Sequence, residues 1–310
     1  MARNIFQKMI DIIRGKNPDV NAKLNLKSIG SRIIHKGGGG SDLIYTHLAS
    51  NTSQLICRFG TVELETVRQF LKNGFIDEKQ KRWMCDTAGF FPSDDYLMIK
   101  FACKQILTAM KVDVLACRVE KFEVEFIAKY LRQNLEVMDM DAITHPMCYD
   151  NPWTRYLEGK KVLVISPFVK TITQQYEKRR LLFKNPLVLP DFQLLTLKAV
   201  QGIGDSKKLL PYKDWFEALD AMKSQISAMD FDVALIGAGA YGMFLGAHCK
   251  EIGKQAVHMG GATQLLFGIK GRRWDKYFEN TLYNEHWTRV SKEETPDGLE
   301  KFEEGTFAYW

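Results

Sequence analysis

The sequence predicts an α/β chain with a mostly parallel sheet flanked by helices, and three observations lead there. Short apolar runs such as Val162-Leu163-Val164-Ile165 and Phe231 to Ile236 read as buried strands, being too short for helices and bounded by turn residues. Stretches with helical spacing follow them, so strand and helix alternate along the chain. Glycine-rich turns stand at strand ends, most clearly Gly237-Ala238-Gly239 and Gly260-Gly261.

Taken in order, Met1 to Lys16 reads as a short amphipathic helix with Ile5, Phe6, Met9, Ile10, Ile12 and Ile13 on one face and Arg3, Lys8, Arg14 and Lys16 elsewhere. That pattern suits either a peripheral contact with an anionic membrane or packing on the body or on a second copy of the chain. Lys36 to Ser41, with four consecutive glycines, reads as a flexible joint or a tight turn near a ligand. Residues 1–41 are therefore expected to be an N-terminal helix and joint, and 42–310 the main domain, with halves at 42–158 and 159–310. Helical spacing runs from Asp42 to Ala49, a strand from Gln54 to Phe59 ends at Gly60, and a helix follows from Val62 to Lys72. Asp95 to Met110 and Val124 to Leu135 are helical in spacing, with Val112 to Cys117 a strand between them.

The second half is punctuated more sharply. After Val162 to Ile165, Ser166-Pro167-Phe168 opens a helix through Arg180; Leu194 to Val200 is the next strand and Trp215 to Met229 the next helix. Phe231 to Ile236 leads through a glycine turn into a helix at Met243 to Ile252, capped by Gly253, and then the strand Gln255 to Met259. Ser291 to Gly305 is charged and aperiodic, while Phe307, Tyr309 and Trp310 are expected to pack back on the body.

A chain of 310 residues, 45% hydrophobic, can fill a large core, which excludes disorder as its general state. No apolar run reaches transmembrane length, and the six cysteines lack a C-x-x-C pair, so reduced thiols in a cytoplasm are expected and a cysteine zinc site is not. The net charge of +6 is not gathered into a long basic run as in nucleic-acid tails, and it suits an anionic small substrate or membrane lipid as well as RNA; no nucleic-acid partner is expected. Short clusters at Glu177-Lys178-Arg179-Arg180, Lys207-Lys208 and Lys270-Gly271-Arg272-Arg273 are surface charge or phosphate partners.

The sharpest local signal is Gly237-Ala238-Gly239-Ala240-Tyr241-Gly242 between an apolar strand and a helix. Glycines let the backbone approach an anion, and a helix start offers free N–H groups and a positive dipole end. The spacing matches the dinucleotide fingerprint, which also calls for an acid about twenty positions on to hold a ribose. Here the next strand ends at His258, so a nicotinamide-linked oxidoreductase or epimerase is disfavoured while other nucleotides are not; close helix-on-strand packing is the purely structural alternative. A second turn, Gly260-Gly261-Ala262-Thr263-Gln264, is expected to face the same crevice, with Thr263 and Gln264 offering polar contacts and Lys270, Arg272 and Arg273 neutralising a diphosphate. In the first half, Glu63 follows Gly60-Thr61-Val62 at a helix start, where it could act as a general base, bind a metal-bridged diphosphate, or merely complement the helix dipole.

The segment Arg58-Phe59-Gly60-Thr61-Val62-Glu63 resembles the Arg-Phe-Gly-Asp-Gly-Glu signature of bacterial GT-D-type glycosyltransferases, a Rossmann-like fold first described for a domain of unknown function in adhesin-glycosylating enzymes. The order of strand, glycine turn, helix and strand from Val233 to Met259, with a closing loop at Gly260 to Gly268, is similar too. Asp86 to Pro92 and Ser166-Pro167-Phe168 through Gln174 to Arg179 resemble polysaccharide-cluster proteins assigned to this fold. The resemblance spans Ile44 to the C-terminus. It implies transfer of a sugar from a nucleoside-diphosphate sugar, UDP-linked, to a glycan or lipid-linked acceptor, with Glu63 and Arg58 catalytic. Gly60, Thr61, Ser166, Gly237, Gly239, Tyr241, Gly242, His258, Gly260, Gly261, Thr263, Gln264, Lys270 and Arg272 would hold the donor. His258 and Asp191 are alternative catalytic groups. In the family an Asp-x-Glu pair is associated with a divalent metal, but Thr61 stands at its first position and the closing loop is neutral. Mn²⁺ or Mg²⁺ at Glu63 thus remains open beside neutralisation by Lys270, Arg272 or Arg179. A non-catalytic nucleotide-binding role in a polysaccharide machine also follows from the missing acids.

Overall fold

The computed structural model describes residues 23–297 and 308–310, so the amphipathic stretch Met1 to Lys16 and Phe307 lie outside the described residues. Nine strands are described: β1 (Ser28–Ile29), β2 (Arg32–His35), β3 (Leu55–Arg58), β4 (Val114–Cys117), β5 (Glu136–Asp139), β6 (Lys161–Ser166), β7 (Gln193–Lys198), β8 (Val233–Ile236) and β9 (Gln255–His258). They form a single sheet in the order β1-β2-β5-β4-β3-β9-β8-β6-β7, parallel throughout except for the β1–β2 hairpin. The α/β fold with helices on both faces of a mostly parallel sheet is the expected one.

The strands alternate their side chains between two apolar layers. In β3, Leu55 and Cys57 enter one cluster and Ile56 the other. The first layer is covered by the helices Thr61–Asn73, Asp95–Ala109, Trp215–Ser227 and Gly242–Glu251; the second by Gly38–Ala49, Met140–Thr144 and Val169–Glu177. An aromatic stack anchors the first layer, with Trp215 lying flat on Tyr241 at 4.5 Å and edge-on to Phe101 at 5.3 Å. Four of the cysteines, Cys57, Cys85, Cys117 and Cys249, are buried, and all six are free.

The glycine run is not a joint. Gly38 to Gly40 form the first turn of the Gly38–Ala49 helix, and Gly37 (φ 55°) donates its N–H to Asp139 Oδ2 at 2.9 Å. A methyl on Gly40 would stand 2.6 Å from Ala142 Cβ, so this glycine serves close helix packing. The run also lies away from the cleft described below, which removes the ligand-turn alternative. β1 and β2 precede it in the chain and still belong to the sheet. The helix expected at Val124 to Leu135 instead spans Lys121–Tyr130, and β5 follows it. Among the described residues no helix is long and apolar enough to cross a membrane.

Candidate functional site

In the middle of the sheet, neighbouring strands send the following chain to opposite faces. After β3 the helix Thr61–Asn73 joins the first layer, after β9 the turn Thr263–Leu266 joins the second, after β8 the helix Gly242–Glu251 joins the first, and after β6 the helix Val169–Glu177 joins the second. Loops that part in this way leave a crevice at the carboxyl ends of the strands. A cleft of about 690 Å³ runs there, lined by chain that follows six adjacent strands: β4, β3, β9, β8, β6 and β7.

From β3 come Arg58, Gly60, Thr61 and Glu63. The Arg58 guanidinium donates from Nη1 to the Phe59 carbonyl at 2.8 Å and lies against Gly260, where a methyl would meet Nη2 at 2.1 Å. Gly260 has φ +65°, so only glycine combines that backbone with that neighbour. Gly60 caps the Thr61–Asn73 helix, and Glu63 folds its carboxylate back over it; a methyl on Gly60 would lie 1.8 Å from Oε2. Glu63 is half-buried and forms no ion pair among the described residues, although its charge reaches Arg58. β4 supplies Arg118, whose Nη2 donates to the same Phe59 carbonyl at 3.2 Å.

β8 and β9 supply the two glycine turns, and these are packed on each other. A methyl on Gly237 would stand 2.8 Å from both the Gly260 carbonyl oxygen and Thr263 Oγ1, and Thr263 donates to that carbonyl at 2.8 Å. Gly239 (φ +51°) and Tyr241 line the cleft, Tyr241 with a buried hydroxyl that has no partner among the described residues. Neither Ala238 nor Gly239, both of which line the cleft, has its N–H accepted among the described residues. Gly261 carries the Tyr309 ring, which a methyl would meet at 2.0 Å. Gln264 braces the same segment: its Nε2 donates to Tyr309 O and Lys270 O at 3.1 Å each, while its buried Oε1 has no partner among the described residues. Ser166 lines the cleft from β6 and accepts the Phe168 N–H at 3.2 Å. Tyr309 and Trp310 pack back on the body, Trp310 edge-on to Phe168 at 5.7 Å.

Several expected members lie elsewhere. His258 is 4% exposed; its Nδ1 is 3.2 Å from Ile236 O and its ring fills the space above Gly242, so neither residue lines the cleft. Burial, then the charge of Arg58, pushes the imidazole pKa down to about 3, so it is a neutral core residue and no proton acceptor at ordinary pH. Lys270 sits in a separate surface hollow with its ammonium 5.3 Å from the Tyr283 ring. Arg179 is ion-paired with Asp191, which also holds Arg180, and none of the three reaches the cleft. Arg272 and Arg273 do line it, Arg273 donating to the Tyr309 hydroxyl at 3.1 Å.

Four arginines therefore line the cleft (Arg58, Arg118, Arg272 and Arg273) against one carboxylate among the described residues, Glu63. Trp83, Tyr309 and Trp310 add aromatic surface. This composition suits an anion attached to a flat or ring-shaped body. It suits a resident dication poorly: no three His, Cys, Asp or Glu side chains converge among the described residues, and guanidiniums flank the one carboxylate. Arg118 was not singled out in the sequence, where it is a lone basic residue after a strand; only the pairing of β4 beside β3 sets it next to Arg58.

No family model matches the chain, and no curated protein matches it. Among solved structures the chain is similar to one described as the selenomethionine-substituted structure of domain of unknown function 1792, with 13% identity and a TM-score of 0.47 over 89% of this chain and 94% of that one.

Proposed function

We propose that this chain is a glycosyltransferase that moves a sugar from a nucleoside-diphosphate sugar, UDP-linked, to a glycan or lipid-linked acceptor of surface polysaccharide or glycoprotein synthesis. The observation that carries the reading is the cleft itself, in which four arginines and two glycine turns surround Glu63, the one acidic side chain that lines it among the described residues. Arginine forks and free N–H groups suit a diphosphate, and aromatic walls suit a base or sugar ring. The Arg58-Phe59-Gly60-x-x-Glu63 resemblance supports the same reading. A dinucleotide oxidoreductase is less well supported, since β9 ends in the buried His258 where a ribose-holding acid belongs.

In this reading the acceptor hydroxyl oxygen forms a bond to the anomeric carbon, and the bond from that carbon to the diphosphate breaks. The electron pair leaves with the diphosphate oxygen, whose charge the arginines meet, and the hydroxyl proton passes to Glu63. Thermal stabilisation by a panel of nucleotides tests the proposal. UDP or a UDP-sugar is expected to raise the melting temperature more than NAD or NADP, since a ligand at a hundred times its Kd adds about 2.7 kcal/mol. Greater stabilisation by NAD would overturn it.

A further inference from the structure

Two arginines converge on one carbonyl. Arg58 Nη1 and Arg118 Nη2 donate to the Phe59 oxygen at 2.8 and 3.2 Å, which places two positive groups side by side at the floor of the cleft. Like charges repel, and one accepting oxygen cannot satisfy two guanidiniums. Arg58 Nε and Arg118 Nη1 are both buried without a hydrogen-bond partner among the described residues. Unpaired buried donors are costly, and both guanidiniums line the cleft, so an anion there would meet a pair of charges that the one carbonyl does not satisfy. Burial and the neighbouring Arg118, in that order, lower the Arg58 pKa, and the facing Glu63 offsets part of this without forming an ion pair.

The backbone that carries Arg118 supplies an independent observation. Val119 has φ 60°, a left-handed conformation that a β-branched residue adopts only where its surroundings enforce it. The enforcing group is the fully buried Glu123, whose carboxylate accepts the N–H of Arg118 at 2.7 Å and of Val119 at 3.0 Å. On the other side Leu24 donates its N–H to the Val119 carbonyl at 2.9 Å. These bonds fix the backbone from which the Arg118 side chain reaches the Phe59 carbonyl beside Arg58.

We propose that the Arg58–Arg118 pair holds the sugar-linked phosphate of the donor diphosphate in place of a divalent cation. The proposal rests on the nucleotide-sugar reading above and adds to it a metal-independent way of meeting the charge. Two planar forks can present parallel N–H groups to phosphate oxygens, and fixed cations stabilise a departing phosphate without reorganising. Thr61, which follows Gly60 at the mouth of the same loop, brings no second carboxylate with which Glu63 could cradle a dication.

Calorimetric titration of the full chain with inorganic pyrophosphate, UDP and UMP, in EDTA and in Mn²⁺, tests the pair. Pyrophosphate and UDP are expected to bind in EDTA. Arg118→Gln should weaken both by about 10- to 100-fold, the loss of one or two charge-assisted hydrogen bonds, and UMP much less. Arg118→Lys, which keeps the charge but not the fork, should fall between. Should the glutamine variant melt far below the parent, the lysine variant and the wild-type comparison in EDTA decide alone. Binding of pyrophosphate and UDP that vanishes in EDTA and returns with Mn²⁺ would overturn the pair while leaving the nucleotide-sugar reading intact, as would unchanged affinities in a folded Arg118→Gln protein. Pyrophosphate bound through Arg118 with no nucleotide bound would overturn that reading and keep the pair as an anion site. No binding under either condition would overturn both.

Discussion

The ring of His258 occupies the space in which a side chain on Gly242 would stand: a methyl there lies 1.9 Å from Cε1. The third glycine of Gly-x-Gly-x-x-Gly thus seats the Gly242–Glu251 helix on β9 and does not touch the cleft. Gly242→Ala is therefore expected to destabilise the fold by about 1–3 kcal/mol through overpacking, read as a lower denaturant midpoint. In a double-mutant cycle His258→Ala should recover part of that loss, because it removes the obstructing ring. Additive losses would show that the helix is not seated on the ring.

A pH dependence follows from the same histidine. Its folded pKa, about 3, lies below the unfolded value of 6.5, so between these the unfolded chain binds more protons and stability falls as pH drops. The slope this group adds approaches about 1.4 kcal/mol per pH unit below 6.5. Glu123 acts oppositely: burial raises its carboxyl to about 7 from 4.5, so the stability it contributes is lost as pH rises through that window. Unfolding free energies of His258→Leu measured from pH 7 to 5 should decline less on acidification than those of the parent. Parallel curves would show that His258 is not held neutral.

The sequence made β6 and β8 legible because they are short apolar runs, and β9, whose apolar centre is only Ala256 and Val257, because Gly253 precedes it and Gly260-Gly261 follow it. It did not reveal the Glu78–Thr87 helix, since two of its buried residues are Gln80 and Lys81, polar in type. Gln80 donates to Val62 O and Thr66 Oγ1 at 2.8 Å, and Lys81 pairs with Asp95, so tertiary partners satisfy groups that break the apolar period. β2 was hidden likewise by buried Arg32, which donates to Leu131 O and Arg132 O, and β5 by its two-residue apolar centre. Of the candidate site, the glycine turns and Arg58, Gly60 and Glu63 were legible as loops at strand ends. His258 and Lys270 were misplaced because spacing gives the end of a strand and not the direction of a side chain, and Arg118 needed the β3–β4 pairing.

The aromatic wall yields a prediction that leaves the floor of the cleft untouched. Tyr309 lies over Gly261, receives a hydrogen bond from Arg273 at 3.1 Å and is braced by Gln264. If its ring stacks on the base or sugar of the donor, Tyr309→Ala should weaken UDP-sugar binding by about 5- to 100-fold, while pyrophosphate affinity stays near that of the parent. Equal losses for the two ligands would mean that the substitution disturbs the arginines and not a stacking surface.

The carboxylate of Glu63 gives the most decisive test of chemistry, because Gly60 leaves room for it to fold back and no ion pair among the described residues takes up its charge. Glu63→Gln keeps the shape and removes the charge. If the residue only complements the helix start, the loss is about 0.3 to 1 kcal/mol of stability, and sugar transfer is nearly unchanged. As the base that takes the acceptor's proton, its loss should lower turnover by about 10²- to 10⁴-fold in a folded protein. Donor affinity separates the remaining roles. A carboxylate that holds a diphosphate-bridging metal would weaken donor binding when removed, whereas a base lowers kcat and spares it. Removing a negative charge beside Arg58 in a cleft that binds an anion should, if anything, tighten UDP binding. A Glu63→Gln protein with reduced turnover and equal or tighter UDP affinity is the expected outcome. Normal turnover would take Glu63 out of the chemistry, and weaker UDP binding restored by added Mn²⁺ would return the metal to the site.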